Sequence, residues 1–463
     1  MISLPRFKVL ICCCFFVFLY SCKKEADVEN VSLSLNTSQQ ILALPNRFIG
    51  LSYEMTEITA PSDFSSNNTT LIQLIKTLGN GVIRIGGSGV DHTYWDNNSR
   101  TLLSPNNSIT TTDIDRFAAF DKQTGWPVIF GLNLKDYNTA TAANEAEYVA
   151  NKLGSNLLDF EIGNEPDMYK QFGYRSSDYT YNKFKGEFDA YTKAIRKVVP
   201  NAPVCGPDIS HTLSWASSFA NDEKNNSKLL TAHHYGMSPY HDPSINELLS
   251  SEASLQDYCQ QLKQSAFANG MSYRIAECNS VYSGGVMGIS NTFASALWGL
   301  DMMWTIASCG GDGVNFHGGN NGAYTPIALL NGSYTPRPIY YGIMAFKEGA
   351  FGHVIALNAD MHGLNIKAYA TIAADSSLWL TVINKTVSNT VTMQVNTGRS
   401  ANKLEVKRLM APSLDATDGV IFAGSAVNQD GTFTPSDVEH YFEDKNIFTL
   451  NLPAASAVVV HIE

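Results

Sequence analysis

The chain has 463 residues, a formal net charge of −11 at pH 7, 44% hydrophobic residues and 11% aromatic residues. That acidic balance argues against a nucleic-acid partner, because phosphate binding needs a basic stripe. The densest basic group, Lys193, Arg196 and Lys197, falls on an expected helix and reads as a solvated face.

Residues 1–22 read as a targeting segment. Arg6 and Lys8 precede an apolar run from Val9 to Tyr20, too short to span a bilayer comfortably. Leu19-Tyr20-Ser21-Cys22 resembles a bacterial lipobox, which makes Cys22 the expected site of lipid attachment. An ordinary secretory signal with a chance cysteine is the alternative. Residues 23–30 then form a polar tether. On this reading the protein is lipid-anchored to a membrane of a bacterial cell envelope, facing the periplasm or the outer surface. Beyond this segment only Cys205, Cys259, Cys278 and Cys309 remain. They show neither a CxxC nor a Cys/His ligand spacing, so they imply no metal site, and four cysteines make no disulfide framework. No cofactor is expected.

Residues 31–45 are strand-like and are expected to join a β-sandwich formed much later in the chain. Residues 46–351 then alternate between short apolar runs and helical spacing. Strands are expected near Phe48–Tyr53, Val82–Gly86, Pro127–Leu134, Leu157–Gly163, Val204–Asp208, Leu229–Tyr235, Tyr273–Glu277 and Gly313–His317. Short apolar runs of this kind suit parallel strands buried on both faces. TTDIDRFAAFDKQTGW opens with Thr and Asp as capping candidates and places Ile114, Phe117 and Phe120 on one face. SDYTYNKFKGEFDAYTKAIRKVVP is the clearest helix, with Pro200 as its stop. NTFASALWGLDMMWTIASC is apolar all round and therefore expected to be buried. From 352 to 463 alternating and β-branched runs with Asn/Gly/Ser turns predict antiparallel sheet. The fold class is α/β: a (β/α)8 TIM barrel followed by a C-terminal antiparallel β-sandwich.

Two stretches carry the chemistry. LLDFEIGNEPDMY delivers Glu165 after an apolar strand, and Pro166 forces a turn just beyond it. YRIAECNSVYSGG delivers Glu277 at the end of another. Strand ends at the C-terminal face form the active-site floor of such a barrel. Two carboxylates facing each other across a sugar are the minimum needed to cleave a glycosidic bond, one as an acid and the other as a base or nucleophile. Cys278 reads as a packed strand residue. Arg84 lies within an otherwise apolar strand and must be paired. Glu54, at the tip of the first strand, is placed to bind sugar hydroxyls, a solvated loop acid being the alternative. His233-His234-Tyr235 ends the sixth strand, where adjacent residues point to opposite faces and cannot chelate one metal.

Gly163-Asn164-Glu165-Pro166, Ala276-Glu277-Cys278-Asn279-Ser280, Gly284-Gly285-Val286 and Asn315-Phe316-His317-Gly318-Gly319 resemble glycoside hydrolase family 79, which contains β-glucuronidases and heparanases. The likeness runs from about Val31 to the end. It implies a retaining mechanism, with Glu165 as general acid/base and Glu277 as nucleophile. The acid would need a pKa raised by burial and by its partner's charge. The resemblance also assigns Asn164 to the sugar 2-hydroxyl, Tyr235 to the nucleophile, and Arg84 to keeping Glu277 ionised, with a structural ion pair as the alternative for Arg84. Tyr282 and Tyr324 resemble positions whose hydroxyls, with nearby backbone amides, hold a glucuronate carboxylate. Ala323 stands before Tyr324 where the family pattern has glycine.

The expected activity is exo hydrolysis of terminal β-linked glucuronate from a glycan. A heparanase-like endo enzyme is the runner-up. Against it, the loops show no Lys/Arg cluster for a sulfated polyanion. Another retaining β-glycosidase, or a non-catalytic glycan-binding lipoprotein, completes the alternatives.

Overall fold

The structure is a computed structural model that describes residues 28–101, 105, 107–250, 253–442 and 445–463. Cys22, the expected signal segment and most of the expected tether lie outside the described residues. Among the described residues no helix is long and apolar enough to cross a membrane.

Eight parallel strands close into a barrel in chain order: β1 Ile49–Glu54, β2 Gly81–Gly86, β3 Val128–Leu132, β4 Leu157–Ile162, β5 Val204–Ile209, β6 Leu229–Met237, β7 Ser272–Val281 and β8 Gly313–His317. Apolar strand residues pack against the helices, while Val82, Ile129, Cys205 and Leu229 form a small separate apolar cluster, and β1, β2, β3, β5 and β8 are buried along their whole length, as their short apolar runs predict. β7 runs four residues past the expected end at Glu277. It does so because Cys278 and Asn279 continue in register with His234 and Tyr235 of β6, after an irregularity between Ile275 and Glu277.

The helices follow from local signals. Helix α1, Thr111–Thr124, starts on a reciprocal cap between Thr110 and Asp113 and ends at Gly125 in the left-handed region. Helix α2, Tyr181–Val198, stops two residues before Pro200. Helix α3, Phe293–Ser308, is buried on nearly every side, as its uniform hydrophobicity requires. It packs against helix α4, Pro338–Gly349, and against the C-terminal sheet. The Trp304 ring stacks on Tyr369, and Asp301 accepts from Tyr369 Oη at 2.6 Å and from Lys385 Nζ at 2.5 Å.

The C-terminal strands form one ten-stranded, mostly antiparallel sheet, curled around a second apolar core of residues such as Val31, Leu33, Leu380, Val395, Leu450 and Val460. Strand Val28–Ala43 belongs to this sheet, in an interior position. It runs antiparallel to His353–Asp360 and parallel to Thr390–Ala401, so both of its edges are hydrogen-bonded. From this strand the described chain enters the barrel and afterwards returns to the same sheet.

Candidate active site

The centre of the site is Arg84, on β2, with no exposed surface. Its Nε donates to Glu161 Oε2 of β4 at 2.6 Å, its Nη2 to Asp208 Oδ2 of β5 at 2.7 Å, and its Nη1 to Glu277 Oε2 of β7 at 2.7 Å. Nη2 also reaches Asn164 Oδ1 at 3.0 Å and Nη1 reaches Ser52 Oγ at 3.1 Å. One guanidinium cannot balance three carboxylates, and the buried cluster resolves this by protonation. Burial pushes Glu161 up to about 8 against the pull of Arg84, which favours its protonated form near neutral pH. Burial raises Asp208 too, but Arg84 and then His233 outweigh it and hold Asp208 below the usual carboxylate range.

Glu165 follows β4 through a sharp turn. Gly163 has φ +78°, and a Cβ there would lie 2.6 Å from Tyr169 Oη. Glu165 itself is left-handed, with φ 50° and ψ 53°, and Pro166 opens the short 3-10 turn behind it. Its backbone N–H donates to the Asp208 carbonyl at 3.0 Å. Its side chain stands 18% exposed, with Oε1 3.0 Å from His233 Nδ1. The other nitrogen of that ring lies 2.8 Å from Asp208 Oδ1. Burial disfavours the charged imidazole, but Asp208 and Glu277 outweigh burial and push the His233 pKa well above its ordinary value.

Glu277 sits opposite. Its Oε1 accepts from Tyr235 Oη at 2.6 Å and lies 4.0 Å from the same His233 Nδ1, while Oε2 lies 3.8 Å from His317 Nδ1. Burial raises its pKa, yet His317, His233 and Arg84 together hold it well below the carboxylate range. The result is one carboxylate locked in the charged form beside a second that faces the cleft.

The remaining expected residues surround this pair. Glu54 is 7% exposed, not a solvated loop acid. Its Oε2 accepts from the Gly89 N–H at 2.6 Å, its Oε1 is 3.3 Å from His317 Nε2, and a Cβ on Gly87 would lie 2.5 Å from Oε2. Tyr282 and Tyr324 both flank Tyr235, with ring centroids 6.4 and 6.1 Å away. Tyr324 is buried. The Tyr282 hydroxyl bonds Ser238 Oγ at 2.8 Å. Asn279 donates to the His317 and Tyr324 carbonyls at 2.9 and 3.1 Å, tying the ends of β7 and β8 together. Cys278 is fully buried, with Sγ 3.4 Å from the Asn315 carbonyl. Burial pushes its thiol pKa well up, so it is no nucleophile. No group of described His, Cys, Asp and Glu residues could hold a metal ion.

Sequence reasoning missed Glu161, Asp208, His233, His317 and Ser52 as members of the network. A signal existed for the two acids: each stands in a strand buried on both faces, where an unpaired charge is untenable.

A model of the glycosyl hydrolase family 79 C-terminal beta domain matches residues 364–459. A β-glucuronidase of Aspergillus niger is 26% identical over 412 residues, 75% of each chain. These matches relate the chain to glycoside hydrolase family 79. A mouse heparanase is 27% identical over 263 residues, 52% of this chain and 47% of that one. Among solved structures, a 4-O-α-L-rhamnosyl-β-D-glucuronidase from Fusarium oxysporum superposes with TM-score 0.77 at 19% identity, over 92% of this chain and 99% of that one. An α-L-arabinofuranosidase from Thermotoga maritima reaches TM-score 0.70 at 14% identity, over 94% and 100%. At such identities the superpositions speak for the barrel-plus-sheet fold alone. The chain is a glycoside hydrolase whose two expected glutamates lie beside one buried histidine.

Proposed function

We propose that this protein is a retaining, exo-acting β-glucuronidase. The observation that carries the reading is the seating of Glu165 Oε1 and Glu277 Oε1 3.0 and 4.0 Å from one nitrogen of His233, which caps their separation at roughly 7 Å. That limit accommodates the about 5–5.5 Å of a retaining pair and excludes most of the range used by inverting pairs, about 6.5–9.5 Å.

In this mechanism Glu277, already ionised, attacks the anomeric carbon while Glu165 gives its proton to the departing glycosidic oxygen. The covalent glycosyl–enzyme then loses its sugar to water, and Glu165 takes the water's proton. Asn164 commits its oxygen to Arg84. Its NH2 is then left as a donor to the sugar 2-hydroxyl. Tyr235 aligns the nucleophile. Tyr282 and Tyr324, on the loops after β7 and β8, hold the C6 carboxylate. The Tyr324 N–H donates to the Gly284 carbonyl at 3.4 Å, joining these two loops, a contact that supports exo action. The names of two relatives agree with the sugar: the Aspergillus niger β-glucuronidase and a baicalin-β-D-glucuronidase of Scutellaria baicalensis.

Aryl β-glycosides varied only at C6, as carboxylate, methyl ester, hydroxymethyl and hydrogen, test the assignment. The carboxylate is expected to be turned over fastest. A preference for hydroxymethyl refutes the uronate while leaving the retaining glycosidase. We further propose envelope anchoring through Cys22. Cys22→Ser is expected to move the protein from the membrane to the soluble fraction, and unchanged membrane recovery refutes the anchor.

A further inference from the structure

A second group of side chains lies on the acid/base side of the site and takes no part in the chemistry described above. The loops after β2, β3 and β4 bring together His92, Lys135, Phe172 and Tyr174. Lys135 Nζ is 3.4 Å from His92 Nδ1 and 4.8 Å from the centre of the Tyr174 ring, and His92 Nε2 is 2.7 Å from Tyr174 Oη. Among the described residues no carboxylate lies within ion-pair distance of Lys135, in a chain with eleven more acidic than basic residues. An ammonium has no acceptor, so it donates to Nδ1. The neutral ring then carries its proton on Nε2 and donates to the tyrosine oxygen. The phenol proton and the rest of the ammonium remain as donors with no acceptor among the described residues.

The position of Lys135 is fixed at both ends of its backbone. Its N–H donates to Asp91 Oδ1 at 3.1 Å and its carbonyl accepts from Arg175 Nη1 at 2.8 Å. Arg175 is in turn held by Glu187 and lies over the rings of Tyr169 and Tyr179. Buried Asp91 also receives the backbone N–H of Asn164 at 3.3 Å and the Tyr169 hydroxyl at 2.5 Å. One carboxylate therefore anchors both the Asn164–Glu165 turn and the lysine loop. The Phe172 ring, 47% exposed, lies 5.6 Å from the Tyr174 ring between centroids, and Tyr137, 50% exposed, follows two residues after Lys135. Such exposed rings suit the C–H face of a sugar ring.

We propose that Lys135, His92 and Tyr174 form a subsite for an anionic substituent, sulfate or carboxylate, on the sugar that departs as leaving group. The inference rests on the glucuronidase reading for its direction: the leaving sugar must lie beside the acid that protonates its oxygen, and this cluster is anchored to the turn that carries Glu165. The preferred substrate is then a glucuronide of an acidic glycan, with Lys135, which pairs with no carboxylate among the described residues, matched to that charge.

Three disaccharides with a terminal β-glucuronate test this, differing only in the leaving sugar: neutral, O-sulfated, or bearing a carboxylate. In low salt the wild type is expected to favour at least one anionic substrate over the neutral one by about tenfold in kcat/KM, the low end for a hydrogen bond to a charged group. The substrate that gains identifies the anion. About 0.5 M salt should erase most of the preference. Lys135→Met should abolish it, and Lys193→Met, on a solvated helix face, should keep it. A wild type that does not discriminate, or a Lys135→Met variant that slows all three substrates equally, overturns the subsite. If none of the three is cleaved, the glucuronidase reading falls. Calorimetric titration with N-acetylglucosamine 6-sulfate and with N-acetylglucosamine then decides the subsite separately. Tighter binding of the sulfated sugar that is lost in Lys135→Met upholds it; equal binding of the two sugars refutes it.

Discussion

Replacing Arg84 tests the buried network most severely. Arg84→Met removes the counter-charge of Asp208 and Glu277 and three close charge-assisted hydrogen bonds, at 2.6, 2.7 and 2.7 Å. Removing one partner from a buried ion pair costs about 3–5 kcal/mol, because the other charge stays buried. With an unfolding entropy of about 2 cal/mol/K per residue, a chain of this length unfolding as one unit loses about 1 °C per kcal/mol, so the melting point should fall by about 3–5 °C at neutral pH. The loss should shrink towards pH 5, where Asp208 and Glu277, freed of Arg84, begin to take up protons; Glu161, pushed up to about 8 by burial, already favours its protonated form at pH 7. Arg84 favours the ionised nucleophile, so its loss raises the Glu277 pKa and moves the acid limb of kcat/KM to higher pH. Two charged hydrogen bonds lost at the site, to Glu277 and through Asn164, should cost about 100-fold or more in kcat/KM. Arg84→Lys keeps the charge but cannot reach three carboxylates, so it should recover stability better than activity. Differential scanning calorimetry from pH 5 to 8 and a pH–rate profile provide the readout. An Arg84→Met protein that melts within about 1 °C of the wild type and keeps its acid limb refutes this reasoning.

Tyr235→Phe removes the 2.6 Å bond to the nucleophile and should lower kcat/KM on an aryl β-glucuronide by about 10- to 100-fold with an unchanged melting point; an unchanged rate would place Tyr235 outside the chemistry. Burial pushes Glu145 up to about 8. A carboxyl raised in the folded state contributes stability that is complete below its unfolded value and lost as pH rises through about 8. Glu145→Gln should therefore match the wild type near pH 4.5 and exceed it progressively towards pH 9, by up to about 5 kcal/mol; a difference independent of pH sinks that account. A chain starting at Arg47 lacks the interior strand Val28–Ala43 and the buried Val31, Leu33 and Leu35, and should not fold stably; a soluble, active product would show that the sheet closes without it.

The barrel strands were legible because each is a short apolar run, and α3 because it is apolar all round. The two glutamates stood out because each follows an apolar run, Glu165 beside turn residues and Glu277 within a strand that continues to Val281. The network behind them was not legible. Glu161 and Asp208 announce a buried charge, but only barrel closure shows that both meet Arg84, since β2 touches neither β4 nor β5 along the sheet. His233 reads as half of a histidine pair, and its bridge between Glu165 and Asp208 depends on the left-handed turn at Glu165. The N-terminal strand was recognisable by its pattern, but its parallel pairing with Thr390–Ala401, across most of the chain, leaves no local trace. Lys135 and His92 escaped for the same reason. A cationic site built from three separate loops makes no run of basic residues.

The double-displacement claim meets its most direct test in proton NMR of an aryl β-glucuronide during the first minutes of hydrolysis. Retention by Glu277 and Glu165 predicts that β-glucuronic acid appears first, with the α-anomer following only by mutarotation. An α-anomer as the first product contradicts the account, because it requires water, and not Glu277, to attack the anomeric carbon.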